Sequence, residues 1–504
     1  MNDALKNTDL PRVKPASPVI PIKLADSSGE ETLEQSLYEV RKKIHPRSVH
    51  GWFAGWRVFF IIATQLAFYG TAWLEWGGRQ ALLFDLGARK FYIFGLVFWP
   101  QDFIYLTALL VISALSLFLF TAVAGRLWCG YACPQTVYTE MFIWIERKIE
   151  GDRGARIRLD NEPFGARKLG LKALKHGAWI ALALWTGVTF VGYFTPIREL
   201  LGEVGNLSFG PWETFWVLFY AFATYGNAGW MREQVCKYMC PYARFQSAMF
   251  DPDTMIITYD KSRGDPRGSR SRGADHRALS LGDCVDCGIC VQVCPTGIDI
   301  RDGLQYECIG CAACIDGCNQ VMKKMGYAKG LIRYATENAL KNGWNFRQIV
   351  AHAYRPRVLI YAAILGAVII GASVGLMLRV PVKVDVIRDR TSLGRELAGG
   401  KIENIYRLQV MNTTEKAHRF VIRVADTHEL KDIEVLTDVK QPLQIDAIST
   451  IAIPVRVRAT PEHDKPGSKR IHFIIEASDD ENHLLPEVFA ISEKSSFFIP
   501  GPAR

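Results

Sequence analysis

Twelve cysteines, all between Cys129 and Cys318, are the residues of this 504-residue chain whose spacing points to chemistry. Eight form two runs, CVDCGICVQVCP (Cys284, Cys287, Cys290, Cys294) and CIGCAACIDGC (Cys308, Cys311, Cys314, Cys318), each Cys-x2-Cys-x2-Cys-x3-Cys. In two-cluster iron–sulfur domains three cysteines of such a run hold one [4Fe-4S] cube and the fourth crosses to the other. The expected ligands are therefore Cys284, Cys287, Cys290 and Cys318 for the first cluster, and Cys308, Cys311, Cys314 and Cys294 for the second. Small residues at Gly288, Ala312 and Ala313 would let backbone N–H groups reach the sulfurs. Zinc can occupy any thiol quartet, but two tandem runs of one spacing favour iron and sulfide. Asn319 replaces the proline that follows the first run, which bears on the turn and not on ligation.

The other four thiols stand in WCGYACPQ (Cys129, Cys133) and CKYMCP (Cys236, Cys240), two Cys-x3-Cys-Pro pairs that each follow an apolar run. A spacing of four puts both sulfurs on one helix face, and Pro134 and Pro241 mark where that helix is interrupted. Thiolates are soft ligands that favour Cu(I), so the two pairs could form one copper site of up to four sulfurs, with Met239 as an extra ligand or a packing residue. Structural thiols at a helix end, or a disulfide, are the alternatives, the latter disfavoured in a reducing compartment. The expected membrane runs hold no histidine, which argues against a haem held between two spans. No GxGxxG follows a strand and no Walker A motif is present. Electrons must then come from a partner or from quinol.

The elements that position these cysteines are written in the hydropathy. With 49% apolar residues and a mean hydropathy of +0.06, the chain is too apolar for an ordinary soluble enzyme and long enough for two to four domains. The net charge of +9 is modest and does not indicate nucleic acid. Five runs, near 56–76, 103–123, 177–196, 213–230 and 356–378, approach the ~20 residues a membrane span needs. The shorter run 91–100 reads as an interfacial or re-entrant piece. Ten Lys/Arg lie between Arg126 and Lys175, against three between Gly77 and Asp102 and one between Ile197 and Pro211. The positive-inside rule then places 124–176 and 231–355 in the cytoplasm and everything after the fifth span on the far side. Residues 1–50 are polar, lack a signal-peptide core, and are expected to stay cytoplasmic. Segment 261–277, rich in Gly, Ser and Arg, reads as a solvated linker. After Val380 seven short period-two runs, from KVDVIRD to VFAISEK, suggest an immunoglobulin-like β-sandwich.

These motifs are carried by IHPRSVHGWF, WGGRQALLFDLGARKFYIFG, FWPQDFIYL, GRLWCGYACPQTVYTEMFIWIERKIEGDR and EQVCKYMCPYARFQSAMFD as well as the two cysteine runs. Together they resemble the CcoG/FixG/RdxA family of cytochrome c oxidase accessory proteins, from about residue 37 onward. The expected architecture is a multi-domain membrane protein: a transmembrane α-helical bundle of about five helices, an inserted two-cluster ferredoxin-like domain and a C-terminal sandwich. Its expected parts are a cytoplasmic segment 1–50, a four-helix membrane region 51–250, a cytoplasmic ferredoxin-like domain 251–350, a fifth helix 351–379 and a periplasmic domain 380–504. The resemblance implies a bacterial inner-membrane protein that reduces Cu(II) to Cu(I) for assembly of a cbb3-type oxidase. It carries over the eight cluster ligands and matches Cys129, Cys133, Cys236 and Cys240 to the family's Cys-x3-Cys-Pro motifs. Implied partners are membrane lipid, a cytoplasmic electron donor, a copper transporter or chaperone and oxidase assembly components, with a homo-oligomer also open. A quinol-linked electron-transfer subunit and a non-enzymatic assembly scaffold are the alternatives. Arg79, Gln80 and Asp102 lie in shared motifs with no chemical role legible in the sequence.

Overall fold

The computed structural model describes residues 43–206, 208–272, 279–352, 354–380, 382–389, 394–397, 400–425, 430–461, 466–478 and 490–501. The chain divides into two units, Met1–Ile44 and His45–Arg504, and the elements below belong to the second. The expected N-terminal segment 1–50 therefore lies largely outside the described residues.

Helix α1 (Trp52–Thr71) is predominantly apolar and leaves most of its side chains uncovered by protein, the mark of a lipid-facing helix, while Phe53 and Arg57 in its first turns pack against the rest of the chain. Residues 82–98 follow as an antiparallel meander, β1 (Leu82–Asp85), β2 (Lys90–Ile93) and β3 (Leu96–Phe98). The run 91–100, too short to span, is mostly two strands paired Phe91↔Phe98. Arg89 and Phe94, both at positive φ, turn the chain between the strands and keep the segment from becoming a helix.

Helix α2 (Phe103–Ala124) leads into the one-turn α3 (Leu127–Tyr131), then α4 (Pro134–Glu150), α5 (Arg153–Asn161) and α6 (Ala166–Val191). Helix α7 (Pro211–Thr224) passes into two π-helical segments, Tyr225–Met231 and Val235–Met239, before α8 (Pro241–Met249). Next come β4 (Ile256–Tyr259), α9 (Ala313–Met325), β5 (Ile332–Ala335) and α10 (Pro356–Met377). Among the described residues three helices, α1, α2 with its preceding turn, and α10, are long and apolar enough to cross a membrane. The expected spans 177–196 and 213–230 do not reach that standard. Helix α6 starts at Ala166 and carries Arg167, Lys168, Lys172 and Lys175 in its first half. Helix α7 gives up its α geometry at Thr224.

Strands β4 and β5 pair antiparallel, Ile256↔Ala335 to Tyr259↔Ile332, and so close the loop that carries both cysteine runs. The stretch 261–272 is not the free linker expected from its composition. Arg270 donates to the carbonyls of Gly268, Gly282 and Cys284, and Arg263 pairs with Asp283 at 2.6 Å, so the arginines bind this segment to the first run. Residues 273–278 lie outside the described set.

Beyond α10 the seven expected strands are present as β6 (Val382–Arg388), β7 (Ile402–Asn412), β8 (His418–Val424), β9 (Leu430–Thr437), β11 (Thr450–Pro461), β12 (Gly467–Ser478) and β13 (Ala490–Ile499), with a short β10 (Leu443–Ile445). One sheet runs β9-β11-β7-β6, with Arg395–Glu396 added to β7, and the other β10-β8-β12-β13. Their inward residues, including Tyr406, Phe420, Val455, Phe473 and Phe497, form one buried core. This alternation of inward apolar and outward polar positions is what period-two sequence requires.

Asp102, buried at the head of α2, accepts from the Trp99 amide at 3.0 Å and from Arg379 at 2.7 Å, and also from Lys383. It therefore clamps the start of the sandwich onto the end of the apolar helices. Arg79 lies 4.4 Å from the Tyr92 ring centroid and pairs with Glu415 at 3.3 Å, while Gln80 bridges the Gly192 carbonyl and the Ile197 amide. All three residues left without a role by the sequence are structural ties.

Candidate electron-transfer site

The two cysteine runs repeat one backbone device. Gly288 and Ala312 each follow the second cysteine of their run, each adopts the left-handed conformation, and each caps the helix that carries the third cysteine. The residue before that second cysteine, Asp286 or Gly310, is also at positive φ. Two such reversals wrap the chain around a hollow that the thiols line, with Cys287 at its exposed rim. For Ala312 the conformation costs roughly 1 kcal/mol, an expense that packing at zero exposure must offset.

The result is two neighbouring cavities. One is lined by Cys284, Cys287, Cys290 and Cys318, with Tyr259, Ile289 and Arg301. The other is lined by Cys294, Cys308, Cys311 and Cys314, with Cys290 at the shared wall. The fourth cysteine of each run is thus found with the other run's first three. In each cavity the thiols are spread around the wall, and among the described residues no three His, Cys, Asp or Glu side chains close on a single metal position. A cube takes one thiolate per corner, and each cavity offers four cysteines. Burial pushes the thiols of Cys290 and Cys311 up to about 11, and those of Cys308 and Cys318 up to about 12. A metal must therefore displace protons to bind.

The Cys-x3-Cys-Pro pairs are brought to the second cavity. Cys129 and Cys236 pack with Cys314 against a small core containing Val293, Ile309 and Cys311. A Cβ on Gly130, between the first pair, would stand 2.7 Å from both Cα and N of Cys311, so α3 rests directly on the backbone of the second run. Burial and then the neighbouring thiols Cys133, Cys129 and Cys240 push Cys236 up to about 12; burial and Cys133 push Cys129 up to about 11. The four thiols are neighbours, though not a closed ligand shell. Met239 is largely exposed.

Three ties hold the pairs together. Gln135, just after the first pair, donates to the carbonyls of Asn227 (2.9 Å) and Arg232 (3.1 Å) in the segment leading to the second. Gln246 of α8 accepts from the Cys129 thiol at 3.4 Å and donates to Thr121 at 3.3 Å. Behind them Glu146, fully buried, takes Arg156 at 3.2 Å, Arg232 at 2.9 Å and Lys175 at 3.6 Å, while Glu150 takes Lys175 and Lys172 at 2.9 Å. Burial opposes ionisation of Glu146, but the cations, Arg232 foremost, hold its carboxyl down at about 2. Sequence reading missed this network, whose partners lie far apart in the chain. The run of acidic and basic residues in TEMFIWIERKIEGDR, at the end of an apolar stretch, was its one local signal.

Comparison with known proteins follows the same segments. Residues 231–337 match the model of a 4Fe-4S dicluster domain, 106–151 that of a 4Fe-4S binding domain, and 372–500 that of an IG-like fold at the C-terminal of FixG. The nitrogen fixation protein FixG of Rhizobium meliloti is 39% identical over 419 residues, 77% of this chain and 80% of its own length. The chain belongs to the FixG/RdxA family. Protein RdxA of Cereibacter sphaeroides is 38% identical over 441 residues, 85% of this chain and 89% of its own. A more distant relative, the ferredoxin-type protein NapH of Haemophilus influenzae, is 22% identical over 43% of this chain and 68% of its own. The crystal structure of a FixG-related protein from Vibrio parahaemolyticus is 28% identical and covers 23% of this chain and 95% of its own, at a TM-score of 0.18. With three apolar helices and the iron–sulfur family models, the chain is a membrane-associated iron–sulfur electron-transfer protein.

Proposed function

We propose that the protein reduces Cu(II) to Cu(I) for assembly of a cbb3-type oxidase, with the paired thiols as the place where copper is received. The observation that carries this reading is the seating of Gly130 on Cys311, which brings Cys129 and Cys236, one thiol of each pair, against the wall of the second cluster site. Cys284, Cys287, Cys290 and Cys318 would hold one [4Fe-4S] cluster and Cys308, Cys311, Cys314 and Cys294 the other; when bound, these supply one-electron transfer. Each Cu(II) takes up one electron, and Cys129, Cys133, Cys236 and Cys240 hold the resulting Cu(I), releasing their protons to do so. Five membrane spans, with the cysteines cytoplasmic and the sandwich periplasmic in a bacterial inner membrane, belong to the same reading. So do a cytoplasmic electron donor and a copper carrier as partners. The 4Fe-4S binding-domain model spans Cys129 and Cys133, which makes iron the competing occupant of that pair.

The test is an anaerobic preparation analysed for iron, sulfide and copper in the wild type and in a Cys129→Ser/Cys133→Ser double variant. Unchanged iron with lost Cu(I) binding is expected, whereas loss of iron would assign the pair to iron. Protein reduced with dithionite, freed of excess reductant and then mixed with Cu(II) should be reoxidised with production of Cu(I). Clusters that stay reduced would end the copper reading.

Quinol oxidation has one observation in its favour. A cavity of about 850 Å³ is walled by Trp52, Trp56, Phe60 and Trp128 and reaches Tyr131 and Tyr334, whose hydroxyls lie 3.5 Å apart. Tyr334 donates to the Gly310 carbonyl at 2.5 Å, inside the second run, so Tyr131 donates to Tyr334 and the two hydroxyls link the cavity to that run. Reduction of the purified protein by a short-chain quinol would move this reading ahead of a soluble donor; no reduction would remove it.

A further inference from the structure

The side chain of Arg126 is 6% exposed and has no carboxylate within salt-bridge distance among the described residues. Its two terminal nitrogens donate to neutral carbonyls, those of Tyr306 and Ala243, and its Nε is buried without a partner. Burying a cation in that way costs several kcal/mol unless an anion answers it. The carbonyls it holds are informative. Tyr306 lies two residues before Cys308, Ala243 lies three after Cys240, and Arg126 itself stands three before Cys129. Its backbone carbonyl meets Gly310, where a Cβ would stand 2.9 Å from that oxygen. Arg126 and Cys308 line one narrow cavity. The guanidinium is thus fastened to all three segments that bring thiols to this place.

Three other arginines of the region are answered. Arg301 beside the first cavity is paired with Asp299 at 2.6 Å and Asp286 at 2.5 Å, Arg57 with Glu140 at 3.5 Å, and Arg232 with Glu146. Protonated thiols offer Arg126 no anion, whereas metal-bound thiolates do.

We infer that Arg126 is the shared counter-cation of the second cluster site and the paired thiols, a positioning residue that favours negative charge on the sulfur of both. Reduction adds one electron to the second site, and a buried cation beside it makes that state easier to reach. The first site, with its own neutralised arginine, is not served by it. The inference rests on the iron–sulfur reading of Cys308, Cys311 and Cys314 and is independent of copper.

The test is a redox titration, followed by electron paramagnetic resonance, of the anaerobically purified full chain and of Arg126→Gln and Arg126→Lys. In Arg126→Gln the reduced-to-oxidised ratio of one site at a fixed potential should fall at least tenfold, about 59 mV for one electron, with the other site unmoved. Arg126→Lys keeps the charge and should recover most of the shift. A variant with full iron and both midpoints unmoved would overturn the inference. So would equal loss in Gln and Lys, or iron lost from the second site with no shift in whatever remains, since each is the mark of a packing role. A wild type that binds no iron at the second run would instead remove the reading beneath it.

Discussion

Glu146 shows how much a single side chain is asked to do at this site. It is fully buried and answers three cations, so Glu146→Gln leaves Arg156, Arg232 and Lys175 competing for a neutral amide. Breaking a buried ion pair costs about 3–5 kcal/mol, and thermal unfolding of the purified protein should show it. The sign with pH follows from its carboxyl, held at about 2 when folded against 4.5 when free. The stabilisation is complete above the free value and is lost as pH falls from there through about 2. The gap in unfolding temperature between wild type and Glu146→Gln should therefore be constant near neutrality and narrow below 4.5. Cys129, Cys133 and Cys236 run the other way. Raised by partial burial, Cys236 to about 12, they must lose protons to bind metal, so Cu(I) affinity measured by competition should rise between about pH 6 and 8.

At the scale of elements, the one turn of α3 is the joint on which the arrangement depends. Gly130→Ala would set a methyl 2.7 Å from the Cys311 backbone, which cannot yield as a flexible side chain would. The variant should lose the second cluster while keeping the first, read as about half the wild-type iron. The cysteine sets were legible in the sequence because ligand spacing is local: a fixed x2-x2-x3 pattern dictates which thiols one loop can present. Strands after Val380 were legible for the same reason, since alternation is visible in five or six residues. What escaped the sequence depends on distant partners. Arg126 finds its carbonyls at Tyr306 and Ala243, and Gln135 finds its own at Asn227 and Arg232. The helix of the expected third span begins earlier than its apolar run, and its lysines Lys172 and Lys175 are drawn into the Glu146/Glu150 network, which hydropathy alone cannot show. The run of the expected fourth passes from α to π geometry at Tyr225, ahead of the segment that carries Cys236 and Cys240, a change that no hydropathy pattern shows.

For the whole molecule, the sandwich is held to the apolar helices by Asp102, which answers both Arg379 and Lys383. Asp102→Asn should leave these cations short of a partner, at a cost of about 3 kcal/mol or more. Limited proteolysis should then cut near residue 380 well before it does in wild type, with cluster content unchanged. Equal cleavage rates would show that Lys90 on the Ile448 carbonyl and Arg79 on Glu415 suffice. The chain order of α2 and α10 carries one more consequence. They are packed side by side, with Tyr105 on the Gly375 carbonyl at 2.8 Å and Arg355 on that of Ala122 at 2.7 Å, yet the whole cysteine-bearing insert is synthesised between them. During translation α2 must wait for its neighbour until that insert has left the ribosome, and domains fold as they emerge. The cell therefore meets these thiols first on a chain whose lipid-embedded part is unfinished, and iron delivery has its opening before the last helix arrives.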